Sequence, residues 1–147
     1  MKSKLALILV AAAMLTGCSV VEQIDRSVNY TSEAAAYVEQ AEAFARELHE
    51  LAKQAVNDPA MHDKLVAELE SMKTRIVEFN ALEAPQIAAD VHAKIQDYNA
   101  MLDREIDQAL NALMNDIPAV QAIQDSQIVQ TLTDITRLIE QINNLGG

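Results

Sequence analysis

The chain has little glycine, a single cysteine and few basic residues, and each shortage excludes a class of protein. Its 147 residues include 3 glycines, at Gly17, Gly146 and Gly147, so no glycine-rich phosphate-binding loop is present. The single cysteine, Cys18, allows no disulfide within the chain, so packing alone must hold the domain together. Lys and Arg number 11 against 22 Asp and Glu. This balance argues against a nucleic-acid partner, because such affinity comes largely from cations that neutralise phosphates.

The N-terminus has the features of a bacterial lipoprotein signal peptide. A basic start at Lys2 and Lys4 precedes an apolar run over 5–15, which ends in Leu15-Thr16-Gly17-Cys18. The run is too short for a transmembrane helix, which needs about 20 residues, and no Ala-x-Ala site immediately precedes Cys18. We therefore predict a signal peptide over 1–17, cleavage before Cys18, and a diacylglyceryl group on its thiol. Two acyl chains give stable anchoring, whereas one binds a membrane only marginally.

The mature chain would be strongly acidic and one domain long. Loss of Lys2 and Lys4 leaves 9 basic and 22 acidic residues, a net charge of −13, over 130 residues. Such a surface promotes solubility and is not drawn to anionic lipid, so the lipid anchor itself would hold the chain at the membrane. We expect a membrane-proximal segment over 18–29, either a separate short helix or continuous with the first bundle helix, and a helical bundle over 30–147.

Apolar residues at helical spacing divide the bundle region into four long segments. Steps of four and three residues give each segment one apolar face, which predicts four amphipathic helices. Breaks at Asn57-Asp58-Pro59, Ala84-Pro85 and Asn115-Asp116-Ile117-Pro118 separate the helices, with Asp58 as the cap of the second. A short helical turn over 119–124 and a cap at Asp125 or Ser126 are expected before the last helix. The residues predicted to be buried are Tyr30, Ala34, Tyr37, Ala41, Phe44, Leu48, Leu51 and Ala55, then Leu65, Leu69, Met72, Ile76 and Phe79, then Val91, Ile95, Tyr98, Leu102, Ile106, Leu110 and Leu113, and finally Ile128, Leu132, Ile135, Ile139 and Ile142.

These helices predict an all-α fold. Long helices joined by tight proline turns must run antiparallel to bury their apolar faces, and the fourth closes the open side. A steady 3.5-residue period favours crossing angles near +20°. The prediction is an antiparallel, left-handed, up-down-up-down four-helix bundle. The third helix, whose apolar steps include consecutive fours, should supercoil less than the others.

The sequence lacks the common metal-binding motifs of helical proteins. A di-iron bundle needs Glu-x-x-His twice, and none of the three histidines has a glutamate three residues before it. His49-Glu50 opens the zinc motif His-Glu-x-x-His, but Lys53 stands in place of the second histidine. We interpret His49 and His92 as surface or boundary residues and His62 as a capping residue near a helix end.

Other polar residues also point away from catalysis. Asp103 and Asp107 share a helix face, and a solvated acidic face is the better interpretation than a calcium site, because no oxygen-rich loop is present. No serine stands in a Gly-x-Ser-x-Gly setting. The aromatic residues fall on predicted core positions. We expect no catalytic residue, no cofactor, no metal site and no enzymatic activity.

Several short stretches, spread over nearly the whole mature chain, form a further pattern. They are the lipobox followed by Ser19-Val20-Val21-Glu22, Asn29-Tyr30, Ala55-Val56-Asn57-Asp58-Pro59, Glu78-Phe79-Asn80, Ala84-Pro85, Asp97-Tyr98-Asn99 and Ile142-Asn143-Asn144-Leu145-Gly146. Together they resemble a family of small lipoproteins from Bacillus-like Gram-positive bacteria. The family has no assigned function, so the resemblance implies no binding residue. It implies a location on the outer face of the cytoplasmic membrane, whereas Ser19 alone would equally allow an outer-membrane destination.

Two functions fit these features. The first is a membrane-anchored interaction or envelope-support module that binds a protein partner through the bundle surface. The alternative is a small-ligand or metal-binding bundle that serves a membrane transporter, and an inward polar cluster or a sizeable internal cavity would favour it. For the first function we expect the partner at the end farthest from the lipid, around Asn57-Asp58-Pro59 and 115–124, because those loops are the most accessible on an anchored bundle.

The anchor gives the first testable prediction. Cys18→Ala should abolish lipid attachment, because no other thiol is available. It should also prevent removal of the signal by the lipoprotein peptidase, which acts after thiol modification. Metabolic labelling with a clickable fatty acid detects the attached lipid. The gel mobility of the same protein shows whether the signal peptide has been removed. Label retained by the Cys18→Ala protein would place the anchor elsewhere.

Overall fold

The computed structural model describes the backbone of residues 18–145 and the side chains of residues 28–140. The helices are α1 (Cys18–Ala55), α2 (Pro59–Asn80), a 3₁₀ turn (Gln86–Ala88), α3 (Ala89–Met114), α4 (Ala119–Gln124) and α5 (Ile128–Leu145). The described part of the chain contains no strand, which confirms the all-α class. The predicted signal peptide over 1–17, the Cys18 side chain and the side chain of Ile142 lie outside the described residues.

The first helix is continuous from the predicted lipidation site to the first turn. α1 has 38 residues, which corresponds to about 57 Å at 1.5 Å per residue. Its sequence contains no glycine or proline, and alanine and glutamate, which favour helix, are frequent. The cap-forming stretch Asn29-Tyr30-Thr31-Ser32 therefore does not interrupt it. Residues 18–29 continue the bundle helix and do not form a separate one.

Three of the four long helices bury the residues that their periodicity predicts. All eight predicted residues of α1 and all five of α2 are buried, as are the predicted residues of α5 up to Ile139. Glu39, Arg46 and Lys53 are exposed on the opposite face of α1. Apolar side chains at steps of four and three are sufficient to define these faces.

The buried face of α3 differs from the predicted one. Val91, Tyr98 and Leu110 are only half-buried, and an adjacent residue is buried in each case. The buried residues follow unbroken steps of four and three, so the prediction of consecutive fours is wrong. The weaker supercoiling that was expected from those fours stays a prediction without that support. The buried residues, counting the end of the 3₁₀ turn, are Ala88, His92, Ile95, Asn99, Leu102, Ile106, Ala109 and Leu113.

Local hydrogen bonds fix the start of α2 and the end of α3. The Asp58 carboxylate accepts a hydrogen bond from the Ala60 amide at 2.9 Å, and Pro59 is the first residue of α2, as predicted. After α3, Asp116 has a φ of 58°, and the amide of Ile117 donates to the Ala112 carbonyl at 3.0 Å. This is a Schellman end with aspartate in the position that glycine usually occupies.

The predicted turn over 119–124 is the helix α4, which buries Ile123 and leaves Val120 half-buried. The predicted cap of the last helix is wrong. The Ser126 hydroxyl donates to the Ile123 carbonyl at 2.7 Å and so closes α4. α5 begins two residues later, and the amide of Thr131 donates to the carbonyl of Gln127, which takes the place before the helix.

The long helices pack in a closed ring. α1 contacts α2 and α5, α3 contacts the same two helices, and α4 lies against α1 and α3. Their buried faces meet in one apolar cluster. Within the described residues, no helix combines the length and the apolar character that a membrane crossing requires.

Candidate functional site

A chain of polar side chains lies inside the bundle between α1, α2 and α3. The Tyr37 hydroxyl donates to Asn99 Oδ1 at 2.5 Å, and Asn99 Nδ2 donates to Asn80 Oδ1 at 2.8 Å. Gln96 Nε2 donates to the Asn80 carbonyl at 3.0 Å. Asn99 is 0 % exposed, and both polar atoms of its side chain have a partner. Burial raises the pKa of Tyr37, although the hydrogen bond to Asn99 opposes the shift, so the phenol stays protonated and remains a donor.

His92 forms a second polar contact with α1 and is not the surface or boundary residue that the sequence suggested. It is 6 % exposed, and its Nδ1 lies 3.0 Å from the Tyr30 hydroxyl, which donates to it in the tautomer protonated at Nε2. The imidazole lies between Phe79, with ring centres 5.0 Å apart, and Tyr30, at 5.5 Å. Burial lowers the pKa of His92 and raises that of Tyr30 to about 12. Nε2 is buried with no hydrogen-bond partner among the described residues.

The aromatic residues have two roles in this region. Tyr37 and Phe79 are core residues, as predicted, and their rings stack with centres 4.5 Å apart. The hydroxyls of Tyr30 and Tyr37 also make the polar contacts to α3, which sequence reasoning missed. The available signal was the spacing of α3, where steps of four and three place His92 and Asn99 on the buried face between Ala88 and Leu102.

On the outer side of the stacked rings, a groove of about 280 Å³ opens between α1 and α2. The rings of Tyr37 and Phe79 form its floor, and charged residues from both helices form its rim. The lining residues are Glu33, Ala36, Tyr37, Gln40, Arg75, Glu78, Phe79 and Leu82.

Two further grooves meet at His62 near the start of α2. One, of about 350 Å³, follows the turn between α1 and α2, and the other, of about 230 Å³, lies between α2 and α3. His62 lines both and has its Nδ1 3.9 Å from the carboxylate of Asp63. Asp58 caps this helix end, so the capping role expected for His62 is wrong. The groove between α2 and α3 is lined by His62, Val66, Glu70, Asp107, Leu110, Asn111, Leu113 and Met114.

The paired aspartates of α3 are not a purely solvated acidic face. Lys73 of α2 lies 3.4 Å from Asp103 and donates a hydrogen bond to Asp107. The hydrogen bond to Asp107 is the main cause that raises the pKa of Lys73. The lysine thus offsets the repulsion between the two carboxylates and ties α2 to α3. Across the described residues, no three His, Cys, Asp or Glu side chains converge on a point where a metal ion could bind.

The described residues offer one buried histidine and several surface grooves. His92 is enclosed by Tyr30 and Phe79, and its lowered pKa keeps it neutral. The grooves described above reach solvent and have mixed apolar and charged linings.

Comparison with known proteins places the chain among lipoproteins without an assigned role. A family of unknown function (DUF6376) matches residues 30–145. The uncharacterized lipoprotein YybP of Bacillus subtilis (strain 168) is 38 % identical over 130 residues, which is 88 % of each chain. No solved structure matches.

The burial of His92 predicts that the fold weakens in mild acid. The unfolded chain protonates this histidine near pH 6.5, whereas the folded chain resists protonation because burial lowers the pKa. The unfolded state therefore binds more protons below pH 6.5, and the free energy of unfolding should fall as the pH drops from 6.5 towards the lower folded pKa. Urea unfolding followed by circular dichroism at pH 7.5, 6.5, 5.5 and 4.5 measures this loss.

His92→Gln should reduce the loss between pH 6.5 and 4.5, because glutamine keeps an acceptor for Tyr30 and does not titrate there. His49→Gln is the matched control, since His49 is exposed on α1. Equal pH dependence in the wild type and the His92→Gln variant would show that His92 is not the responsible group.

Proposed function

This chain belongs to the family of unknown function DUF6376, and from that premise we propose that it is a lipid-anchored envelope protein that binds a protein partner at the end of its bundle farthest from the membrane. We further propose that Cys18 carries the lipid, that the bundle lies on the outer face of the cytoplasmic membrane, and that it binds without catalysing a reaction. The lipobox and the name of the Bacillus subtilis relative, an uncharacterized lipoprotein, support the anchor.

The proposed topology is the left-handed, up-down-up-down bundle. Tyr30 contacts His92 and Tyr37 contacts Asn99, so residues seven apart on α1 meet residues seven apart on α3, which supports parallel α1 and α3. Between α2 and α3 the order is reversed, because Asn80 meets Asn99 while the earlier Lys73 meets the later Asp103. The steps of four and three on every long helix favour a left-handed supercoil.

In this topology the turn after α1 and the loop between α3 and α4 lie together, at the end of the bundle opposite Cys18. We call this the distal end and define it by residues 55–63 and 110–124. The continuous length of α1 would hold it about 57 Å from the anchor if the helix stands upright on the membrane. A partner in the envelope could reach this end without contacting the lipid surface.

One observation carries the proposed function: two grooves join at His62 on the distal end and are bordered by exposed apolar side chains. Met114 lines the groove between α2 and α3 and is 73 % exposed, and Val56 lines the groove at the turn and is 50 % exposed. The half-buried side chains of Val66 and Leu110 extend this apolar surface inward. Exposed apolar side chains beside a groove are typical of protein-binding sites.

The charges around these grooves favour a basic partner. Asp63 lines the groove at the turn and Glu70 lines the groove between α2 and α3, and neither carboxylate is paired with a lysine or arginine in the described part of the chain. The net charge of −13 expected for the mature chain would steer a basic segment towards it. We propose that the partner presents an apolar side chain flanked by lysine or arginine.

Small-ligand binding in the service of a transporter is the second candidate. The inward polar cluster of Tyr37, Asn99 and His92 favours it, because a fully apolar core would not. Side chains of the bundle itself fill that cluster, so a ligand would have to bind in a surface groove.

Site-specific photo-crosslinking in intact cells tests the distal end. Crosslinkers at Asn57, Asn115 and Gln121 should capture a partner more often than crosslinkers at Gln141 or Asn144, which lie near the opposite end. Met114→Asp should lower capture from Asn57 several-fold, because a carboxylate would replace an apolar contact. Met101→Asp, on an exposed part of α3 away from the grooves, is the matched control. Preferential capture from Gln141 and Asn144, or equal loss with both substitutions, would contradict the proposed site.

A further inference from the structure

The groove between α1 and α2 is built from one face of each helix. α1 contributes positions 33, 36, 37 and 40, and α2 contributes 75, 78 and 79. Leu82, two residues after the end of α2, completes the lining. The α1 positions follow i, i+3, i+4, i+7 and the α2 positions follow i, i+3, i+4, which is the spacing of neighbours on a helix surface. The α1 wall is therefore about two turns, or roughly 10 Å, long. A volume of about 280 Å³ is close to the lower limit of small-molecule sites.

The floor of this groove is held rigidly. The rings of Tyr37 and Phe79 stack on each other, and His92 packs against Phe79 from the interior. Tyr37 cannot rotate without breaking its buried hydrogen bond to Asn99. A floor that is already fixed before binding saves the ordering cost that a flexible surface would incur.

The rim holds charges that are not neutralised by the protein. Each of the other three arginines whose side chain is described has a partner: Arg46 pairs with Glu42, Arg104 bonds the Ala100 carbonyl, and Arg137 pairs with Asp134. Arg75 is half-buried in the groove and has no hydrogen bond or ion pair within the described residues. Its guanidinium is therefore available to an anion.

Two carboxylates share the same groove with this arginine. Glu33 and Glu78 line it, and neither forms an ion pair with Arg75 or with another described cation. The site thus offers one cationic and two anionic groups above an aromatic floor. A ligand that carries both charges could satisfy all of them, whereas an ion of a single sign would meet repulsion from one side.

The order of the charges along the groove sets the length of that ligand. α1 and α2 are joined by a turn of three residues, so they run in opposite directions. This places Arg75 opposite Gln40 at one end and Glu33 opposite Leu82 at the other, with Glu78 between them. Arg75 and Glu78 are separated by about 4.5 Å along α2, and positions 33 and 40, at the two ends of the groove, by about 10 Å along α1. A dipeptide spans roughly 7 Å between its terminal charges, since each residue adds about 3.5 Å.

We propose that this groove binds a short zwitterionic peptide of about two residues. Its carboxylate pairs with Arg75, its ammonium group lies between Glu78 and Glu33, and one apolar side chain rests against Tyr37 and Phe79. A guanidinium can receive a carboxylate through two parallel hydrogen bonds, which gives this end of the site its specificity. The site is separate from the distal end and does not depend on the protein partner proposed there.

The test uses the full chain purified from cell membranes in detergent micelles and three matched probes. The probes are the dipeptide Gly-Phe, its N-acetyl form without the ammonium charge, and its C-terminal amide without the carboxylate. Saturation-transfer difference NMR gives the dissociation constant of each. Gly-Phe should bind about tenfold more tightly than either blocked form, a difference of about 1.4 kcal/mol.

Two substitutions separate the two charge contacts. Arg75→Gln should lower the affinity for Gly-Phe to that for the amide probe and leave the affinity for the amide probe unchanged. Glu78→Gln should lower the affinity for Gly-Phe towards that for the acetylated probe. Arg46→Gln, on the same bundle but outside the groove, should bind all three probes as the wild type does. No binding of Gly-Phe at 10 mM, equal affinity for the three probes, or equal losses with Arg75→Gln and Arg46→Gln would overturn the proposal.

Discussion

The hydrogen bond from Tyr37 to Asn99 is the contact on which the rest of the bundle depends. It crosses the interior from α1 to α3, and Asn99 passes the connection to Asn80 of α2. The apolar faces alone would tolerate a slip, since a shift of seven residues along α3 would put Leu102 where Ile95 now lies. The polar contacts would not, because a buried amide without a partner costs about 1–3 kcal/mol. These contacts therefore specify one register, as buried polar residues do in coiled coils.

A fixed register makes the bundle a rigid body, and its surface sites depend on that rigidity. The same Tyr37 that bonds Asn99 forms, with Phe79, the floor of the groove between α1 and α2. The continuous α1 joins this body to the proposed anchor at Cys18, so a lipid there would lie at set distances from the groove and the distal end. Such a protein is suited to holding a binding surface in place. The buried His92 makes the same interior sensitive to mild acid.

Periodicity was enough to predict the helices, most of their boundaries, and the buried faces of α1, α2 and α5, because apolar side chains occupy every predicted step of those faces. It failed in α3, where polar residues occupy two steps and bulky Val91 and Tyr98 lie beside them. The prediction followed the apolar side chains and therefore assigned the wrong buried face to α3. The grooves could not be predicted, since each forms where two helix faces meet, and no local pattern shows which faces these will be.

The most direct test of the register is a distance measured across the bundle. Spin labels at Glu39 and Met101, which are exposed on α1 and α3, report the relative position of these helices by pulsed electron paramagnetic resonance. The otherwise unchanged chain should give one narrow distance. With Tyr37→Phe and Asn99→Leu combined, a chain of equal helix content should give a broader distribution or a second distance, since a slip of one heptad moves α3 by roughly 10 Å. The same single narrow distance in both proteins would contradict the claim that the buried polar contacts set the register.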